Sequence, residues 1–483
     1  MSNALVWFRR DLRLADNPAL CAALDAGLTP VPVYIHDEPS GGWSLGAASA
    51  WWLHRSLTEL DGSLRALGSR LLITRGDSEA ELLHLCRALD VSHVFWNRLY
   101  EPHSRERDAR IKAALRNLGL TATSFNAQLL REPRELVKAD GTPYRVFTPF
   151  WKALQKGNPV QAPLPAPRSL PAPSLTDTDG LRVEQLALLP RIPWYRGFAE
   201  HWQPGEAGAQ QALEGFCAAA LADYPDERDL PALGGTSRLS AHLHFGELSP
   251  RQAWHAVQQE AAARTRPGLL AASESWLRQL AWREFGHHLL YHFPDTSDEP
   301  MDARFVAFPW RSEYRDDLRA WQQGVTGIPM VDAGMRELWE SGWMHNRVRM
   351  ITASLLTKNL LIPWQEGAHW FWDTLVDADL ANNTLGWQWT AGCGVDAAPY
   401  FRIFNPVRQG ERFDPDGSYI RRWVPELSGL PAEWIHQPWA APSEVLESAG
   451  VVLGDNYPEP IVDLQRSRAR ALTIWDSVKN GSR

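Results

Sequence analysis

Cysteine is scarce in this chain of 483 residues, which contains four copies, Cys21, Cys86, Cys217 and Cys393. No two of them form a C-x-x-C pair, so neither a disulfide framework nor a zinc or iron–sulfur cluster is indicated. His288 and His292 have the i, i+4 spacing of a metal pair, but no acidic third ligand accompanies them in a recognisable motif. We therefore predict no metal site.

Long apolar runs are also missing, since no stretch approaches about 18 uncharged apolar residues, and no membrane span is predicted. The N-terminus, MSNALVWFRRDLRL, runs from apolar to basic residues, the reverse of a secretory signal, so we expect a cytoplasmic protein. A formal net charge of −8 argues against a protein that coats nucleic acid with its whole surface, although it allows a local basic face.

A glycine-rich phosphate turn is missing from the first 130 residues, although these alternate between short apolar strands and helices. The alternation predicts an α/β domain with a doubly wound parallel sheet. FRRDLRLADNP follows the first strand, so the dinucleotide fingerprint is absent. Helical periodicity dominates from residue 199, after a proline-rich stretch. We predict an α/β domain over 1–130, a linker over 131–198 and an all-α domain over 199–483.

Tryptophan is abundant, with 24 copies, and this density requires a cofactor, a stacking surface or an unusually aromatic core. One predicted helix places Trp276, Gln279, Trp282 and Arg283 on a single face. Such a face is either a buried aromatic surface with a satisfied polar pair or a pocket that stacks and reads a flipped base.

Two further polar clusters have both a structural and a functional interpretation. The helix GWMHNRVRM puts Asn346, Arg349 and Met350 on one face, and DTLVDADLANNTLGWQW offers carboxylates downstream. An Arg–Asp structural pair and a cofactor site both fit these residues. TSRLSAHL, at 236–243, suits either a grip on phosphate oxygens or a routine helix cap.

Several long motifs resemble the photolyase/cryptochrome family. They are VWFRRDLRLADNPAL, GTSRLSAHLHFGELSPRQ, LAWREF, TGIPMVDAGMREL, GWMHNRVRM and DADLANNTLGWQW with the following DAAPYFRIFNP. The resemblance spans almost the whole chain. It implies an α/β antenna domain joined by a long linker to a helical domain that binds FAD, which agrees with the division above.

The resemblance also implies which residues contact FAD. One group, which includes the diphosphate grip, is Tyr224, Thr236, Ser237, Arg238, Leu239 and Ser240. The inner wall is Trp276, Arg283, Asn346, Arg349, Asp377, Ala378 and Asp379. Arg349 and Asp377 match the family's ion pair beside the isoalloxazine, and Asn383 matches the amide that faces flavin N5, where plant cryptochromes place aspartate.

The implied reaction is light-driven repair of cyclobutane pyrimidine dimers by electron transfer from excited, reduced FAD to a flipped-out dimer. Trp310, Trp364 and Trp387 match the chain of indoles through which the flavin is photoreduced. Trp282 and Trp389 match the walls around the extruded dimer. The other expected DNA contacts are Arg228, Gln279, Asn346, Arg347 and Met350. The implied enzyme is a deoxyribodipyrimidine photo-lyase.

Gln279 departs from the family pattern, because bacterial cyclobutane-dimer photolyases commonly carry glutamate there. Glutamine cannot supply an acidic proton, which leaves weaker repair or a cryptochrome-like blue-light sensor as the alternative. A (6-4) photolyase is disfavoured because that class needs histidines where this chain has Asn346 and Met350. The amide Asn383 and the lack of a long tail after Pro442 favour the enzyme.

The remaining expectations concern partners. YEPHSRERD lacks the Asn-Glu pair that holds folate in some members of the family. A differently bound folate, a deazaflavin and no antenna at all therefore stay open. We expect a monomer that binds damaged DNA. A dehydrogenase is disfavoured because no nicotinamide-binding fingerprint is found.

Overall fold

The structure, a computed structural model, describes residues 2–37, 42–173, 180–263, 266–396 and 401–481. Two compact units are formed. The first contains residues 1–193, 199–222 and 237–294, and the second contains residues 194–198, 223–236 and 295–483. Residues 174–179 of the predicted linker lie outside the described residues.

The first unit contains a parallel sheet whose strand order is β3-β2-β1-β4-β5. Its strands are β1 (Asn3–Phe8), β2 (Thr29–His36), β3 (Leu72–Arg75), β4 (Val91–Asn97) and β5 (Thr121–Phe125). The helices between them are α1 (Pro18–Asp25), α2 (Ala47–Ala66), α3 (Ser78–Ala88) and α4 (Pro102–Asn117). The predicted doubly wound sheet is confirmed.

The apolar strands form this sheet because both of its faces are covered. Leu5, Trp7, Val33 and Val94 lie in one buried cluster with residues of α3 and α4. Continuous burial along β1 explains why its sequence is uniformly apolar instead of alternating. From β1 the strands are added first on one side, as β2 and β3, and then on the other, as β4 and β5, so the strand order reverses between β1 and β4.

Among the other residues that the structure describes, the regular structure is helical. Those up to residue 292 are α5 (Phe147–Lys156), α6 (Phe198–His201), α7 (Glu206–Gly215), α8 (Tyr224–Glu227), α9 (Ser240–Phe245), α10 (Pro250–Ala263) and α11 (Leu269–His292). The later ones are α12 (Arg315–Gln323), α13 (Pro329–Ser341), α14 (Asn346–Ser354), α15 (Trp364–Thr374), α16 (Leu380–Ala391), α17 (Pro406–Phe413), α18 (Ser418–Trp423), α19 (Ala432–Ile435), α20 (Ser443–Ala449) and α21 (Leu464–Gly481).

The two units do not follow the predicted domain bounds. Helices α7, α9, α10 and α11 belong to the first unit, where α5 and α10 both pack on α11. In α5 the buried residues Phe147, Phe150, Trp151 and Leu154 have the spacing of one helical face. The predicted bounds at residues 130 and 198 stay a prediction.

No helix within the described part of the chain combines the length and the hydropathy that a bilayer crossing requires.

Candidate functional site

Helix α14 of the second unit begins with a cap that fixes the direction of its polar side chains. The Nδ1 atom of His345 accepts a hydrogen bond from the backbone amide of Arg347 at 3.2 Å. Burial lowers the pKa of His345 to about 4, so the ring is neutral near pH 7 and its Nδ1 can act as an acceptor. Asn346 is exposed, with its amide nitrogen 3.9 Å from the sulfur of Met350.

Arg349, one turn into α14, forms an ion pair with Asp377 in the loop before α16. One guanidinium nitrogen lies 3.0 and 2.9 Å from the two carboxylate oxygens, and the Nε donates to the carbonyl of Met344 at 2.7 Å. The Asp377 side chain is 3% exposed. The Arg–Asp pair expected from the sequence is therefore present, and it joins α14 to the start of α16.

The start of α16 carries two more of the predicted residues. Asp379 caps the helix and accepts a hydrogen bond from the backbone amide of Asn382 at 2.9 Å. The Asn383 amide nitrogen donates to the carbonyl of Ala368 on α15 at 3.0 Å. Since a carbonyl cannot donate, this contact identifies the nitrogen of the amide and leaves the Asn383 oxygen as an acceptor on its other branch.

The three predicted electron-transfer tryptophans all lie in the second unit. Trp364 begins α15 and Trp387 lies on α16, and both are buried. The two helices touch at Gly367, where a Cβ atom would come within 2.0 Å of the Trp387 ring. Trp310 is half-buried, and the amide of the next residue, Arg311, donates to the carbonyl of Leu361, three residues before Trp364, at 2.9 Å.

Two predicted DNA-binding arginines of the second unit share one carboxylate. Arg347 lies 2.7 Å from an oxygen of Asp229, and the Nε of Arg228 lies 3.9 Å from the other. The guanidinium of Arg347 also covers the ring of Phe413 at 4.5 Å. Sequence reasoning missed Asp229, although it stands next to Arg228.

Arg347 and Asp229 line a trough of about 1400 Å³ in the second unit. Its other basic residues are Arg402, Arg408, Arg412 and Arg468. These arginines were not predicted, although three of them recur within FRIFNPVRQGERF, and Arg408 and Arg412 have the i, i+4 spacing of one helical face. Trp389, the predicted wall of the lesion pocket, donates its indole N–H to the carbonyl of Asp396 at 3.1 Å.

The first unit contains the predicted residues of α11. Trp276 is buried against Phe216, and Trp282 stacks on Phe147 with ring centroids 3.8 Å apart and planes 5° apart. One face of the Trp282 indole is therefore already covered. Arg283 donates to the carbonyl of Gln128 at 2.7 Å, and Gln279 is half-buried. The buried-face interpretation holds for Trp276, whereas Gln279 stays accessible.

The predicted phosphate-binding segment crosses the boundary between the units, with Tyr224 and Thr236 in the second and 237–240 in the first. Arg238 has a φ of 51°, a strained conformation for a residue with a Cβ, and its guanidinium lies 4.3 Å from the Trp202 ring. The N-cap of α9 is Leu239, without a side-chain cap. The segment is therefore not the routine helix cap that its sequence also allowed.

The residues of the second unit fit a flavin. An isoalloxazine ring presents hydrogen-bond donors and acceptors along one edge and an apolar face. The Arg349–Asp377 pair and the Asn383 oxygen supply polar partners, while Trp387 supplies an aromatic neighbour whose buried N–H has no hydrogen-bond partner within the described residues. Ala378, between the two aspartates, is buried and small.

Comparison with known proteins supports this assignment. Residues 4–169 match the model for DNA photolyase, and residues 276–477 match the model for the FAD binding domain of DNA photolyase. A deoxyribodipyrimidine photo-lyase of Agrobacterium fabrum is 47% identical over 98% of both chains. Cryptochrome-1 of Arabidopsis thaliana is 41% identical over 97% of this chain and 69% of its own.

A solved structure extends the likeness to the fold. The bacterial class III photolyase from Agrobacterium tumefaciens aligns with a TM-score of 0.95 and 46% identity, over 99% of this chain and 98% of its own. The predicted fold class and the resemblance are confirmed, and the predicted enzyme class is the one that these relatives are named for. The chain belongs to the DNA photolyase family, whose members also include cryptochromes.

Proposed function

We propose that this protein repairs cyclobutane pyrimidine dimers in DNA by using blue light and a bound, reduced FAD. The observation that carries the proposal is the arrangement around α14, where Arg349 faces the candidate flavin site and Arg347 faces the arginine-lined trough. One helix would therefore serve both a cofactor and, through a trough lined by five arginines and three carboxylates, a polyanion. The names of the 47% identical relative and of the aligned structure agree with this proposal.

FAD would be held through its diphosphate and through its isoalloxazine. The polar segment 236–240 suits the diphosphate, since hydroxyls and a guanidinium both donate to phosphate oxygens. Arg349, Asp377 and Asn383 suit the isoalloxazine. The bound flavin would supply the electron that light sends to the dimer and recover it after the ring has split. Because the Asn383 oxygen can accept a hydrogen bond, it favours a flavin that is protonated at N5.

Trp387, Trp364 and Trp310 would carry electrons from the protein surface to the flavin. An indole suits this role because its large π-system can lose an electron and regain it. Burial of Trp387 and Trp364 keeps water away from the inner steps, and half-burial of Trp310 gives the chain an outer end. These three tryptophans would restore the reduced cofactor, while repair itself would not consume electrons.

Damaged DNA would contact the trough through its phosphates and the lesion pocket through its bases. Flipping a dimer out of the duplex costs a few kcal/mol, and less for a poorly stacked lesion than for intact bases. Trp389 offers a plane for stacking, and the role of Trp282, one face of which is covered by Phe147, stays a prediction. Arg228, Arg347, Asn346 and Met350 would contact the lesion and its phosphates, with Asp229 orienting both arginines.

Gln279 is the residue on which the choice between enzyme and sensor depends. Its amide can hydrogen-bond a dimer but cannot donate an acidic proton to the radical anion. A cryptochrome-like photoreceptor with weak repair is therefore the second candidate, and the 41% identity to a plant cryptochrome favours keeping it. A folate or deazaflavin antenna, a monomeric state and a cytoplasmic location remain predictions.

Replacing Trp364 with phenylalanine tests the proposal by separating photoreduction from repair. We expect at least about tenfold slower photoreduction of oxidised FAD in Trp364→Phe, because a phenyl ring is much harder to oxidise than an indole. Repair by chemically pre-reduced variant should stay within about twofold of the wild type. Trp372→Phe, on the same helix, is the control. Equal loss of both activities in Trp364→Phe would contradict the proposed roles.

A further inference from the structure

Lys358 is a buried lysine whose surroundings are almost entirely apolar. It lies in the π-helical turn Leu355–Asn359 that continues α14, and it is 1% exposed. Its Nζ lies 3.2 Å from the centroid of the Phe401 ring. Within the described residues no carboxylate forms an ion pair with it, and Cys393 is the one titratable group that interacts with it electrostatically. A buried lysine without an acidic partner calls for another explanation.

The hydrogen bond of Lys358 explains why a lysine is buried at this position. Its Nζ donates to the carbonyl of Ala391, the last residue of α16. Carbonyls at the C-terminus of a helix have no partner within the helix and carry partial negative charge, so a lysine there is favourable. Burial lowers the pKa of Lys358 well below its usual value, but both the amine and the ammonium can donate this bond.

The end of α16 that Lys358 holds is the part of the helix that carries Trp389. The backbone amides of Gly392, Cys393 and Gly394 all donate to the carbonyl of Gln388, at 3.0 to 3.1 Å, which forms a tight turn. The same turn leads to Asp396, whose carbonyl accepts the Trp389 indole N–H. A shift at Ala391 would therefore move both the Trp389 backbone and the acceptor that fixes its ring.

We propose that Lys358 is a positioning residue for Trp389, acting through the C-terminal end of α16, and that it sets how well the protein distinguishes dimer-containing from undamaged DNA. This inference rests on the proposed function, because it gives Trp389 a lesion to stack on. Gln388 fixes the same turn from its other side, since its side chain bonds the backbone of Met301, Thr296 and Glu299. Lys358 is the partner that reaches the final carbonyl.

A double-mutant cycle on the FAD-loaded, reduced protein tests the inference. The variants are Lys358→Met, Trp389→Ala and the two together, with Lys479→Met as a control at an exposed position. The readout is the ratio of dissociation constants for undamaged and dimer-containing duplexes of one sequence. We expect Lys358→Met to lower this ratio about fivefold in the wild-type background and to leave it unchanged in the Trp389→Ala background, because coupled residues are not additive.

Each other outcome has a definite meaning. Equal loss in both backgrounds, or an unchanged ratio in Lys358→Met, overturns the inference while the wild type still discriminates. A wild type that does not discriminate overturns the proposed function first. If Lys358→Met does not fold or retain FAD, Phe401→Leu keeps the lysine and removes the ring beneath it. We then expect about a twofold lower ratio from Phe401→Leu, and no change would contradict the inference.

Discussion

Two regions of this molecule are rich in arginine, aspartate and asparagine, and they differ in how completely these groups bond one another. At the end of β1 in the first unit, one Arg9 nitrogen bonds both oxygens of Asp108, at 2.9 and 2.7 Å. Asn97, at the end of β4, donates to Asp11 and Asn17 at 2.6 and 2.8 Å. Around α14 and α16, by contrast, Asn383 keeps an acceptor and Arg349 is 24% exposed.

This difference distinguishes a structural polar cluster from a candidate binding site. In doubly wound sheets, ligands bind outside the strand ends where the strand order reverses, here between β1 and β4. In this chain the strand ends are bonded to each other and to buried neighbours, and Arg13 bonds the carbonyls of Gly246, Asp16 and Ala127. The absence of a glycine-rich turn thus agrees with strand ends that are occupied by a network of the chain's own side chains.

Removing an arginine from this strand-end network should produce the largest effect. Arg9→Met leaves the Asp108 carboxylate, whose side chain is 11% exposed, without its main partner. Arg107 still lies 3.1 Å from one oxygen of that carboxylate. We therefore expect the free energy of unfolding to fall by about 3 kcal/mol, the lower end of the cost of breaking a buried ion pair. Denaturant unfolding followed by circular dichroism measures it. Arg65→Met, which removes a pair with Asp61 that is 55% exposed at the arginine, should cost less than about 1 kcal/mol. Similar losses in both variants would show that the strand-end network stabilises the fold no more than an exposed ion pair does.

Glu284 is a buried acid of the first unit, and we expect it to make the free energy of unfolding depend on pH. Burial raises its pKa from 4.5 to about 7, although the amides of Leu130 and Arg131 donate to it. Between these pH values the folded protein holds a proton that the unfolded chain has lost, so stability falls as pH rises through 7. Glu284→Gln should remove up to about 3 kcal/mol of this dependence. Unfolding measured from pH 4.5 to 8 checks it.

The control for this prediction is Glu274→Gln, which changes an exposed acid on the same helix. It should leave the pH dependence of unfolding as in the wild type. A Glu284→Gln variant with the wild-type pH dependence would show that the buried acid is already ionised.

Changing Arg349, in the polar cluster around α14 and α16, should weaken FAD binding more than it lowers the stability of the fold. Arg349→Lys keeps the charge but loses the fixed fork that holds both Asp377 and the Met344 carbonyl. We expect FAD to dissociate about tenfold more readily, a loss of about 1.4 kcal/mol, and the apoprotein to unfold as before. Flavin fluorescence reports release of FAD. Arg336→Lys alters a pair with Glu426 of equal arginine exposure, 24%, and should retain FAD normally.

Much of the fold could be predicted from residue patterns, and the features of the candidate site that were missed have identifiable physical causes. Apolar strands and helical spacing predicted the sheet and most helices, because each of those features is local. The pairing of Arg347 with Asp229 and the arginine trough were missed because they join segments more than a hundred residues apart or depend on one loop. Lys358 was missed because its neighbours in the sequence do not reveal that its ammonium reaches the end of another helix.

The most direct test of the proposed repair activity is blue-light repair of a dimer-containing oligonucleotide by the purified, photoreduced protein. A dark control and Gln279→Glu are measured alongside. We expect the wild type to remove dimers in the light and not in the dark, and Gln279→Glu to increase the yield by a few fold. No repair by the wild type, with repair gained in Gln279→Glu, would contradict this expectation and indicate a photolyase scaffold that serves as a light sensor.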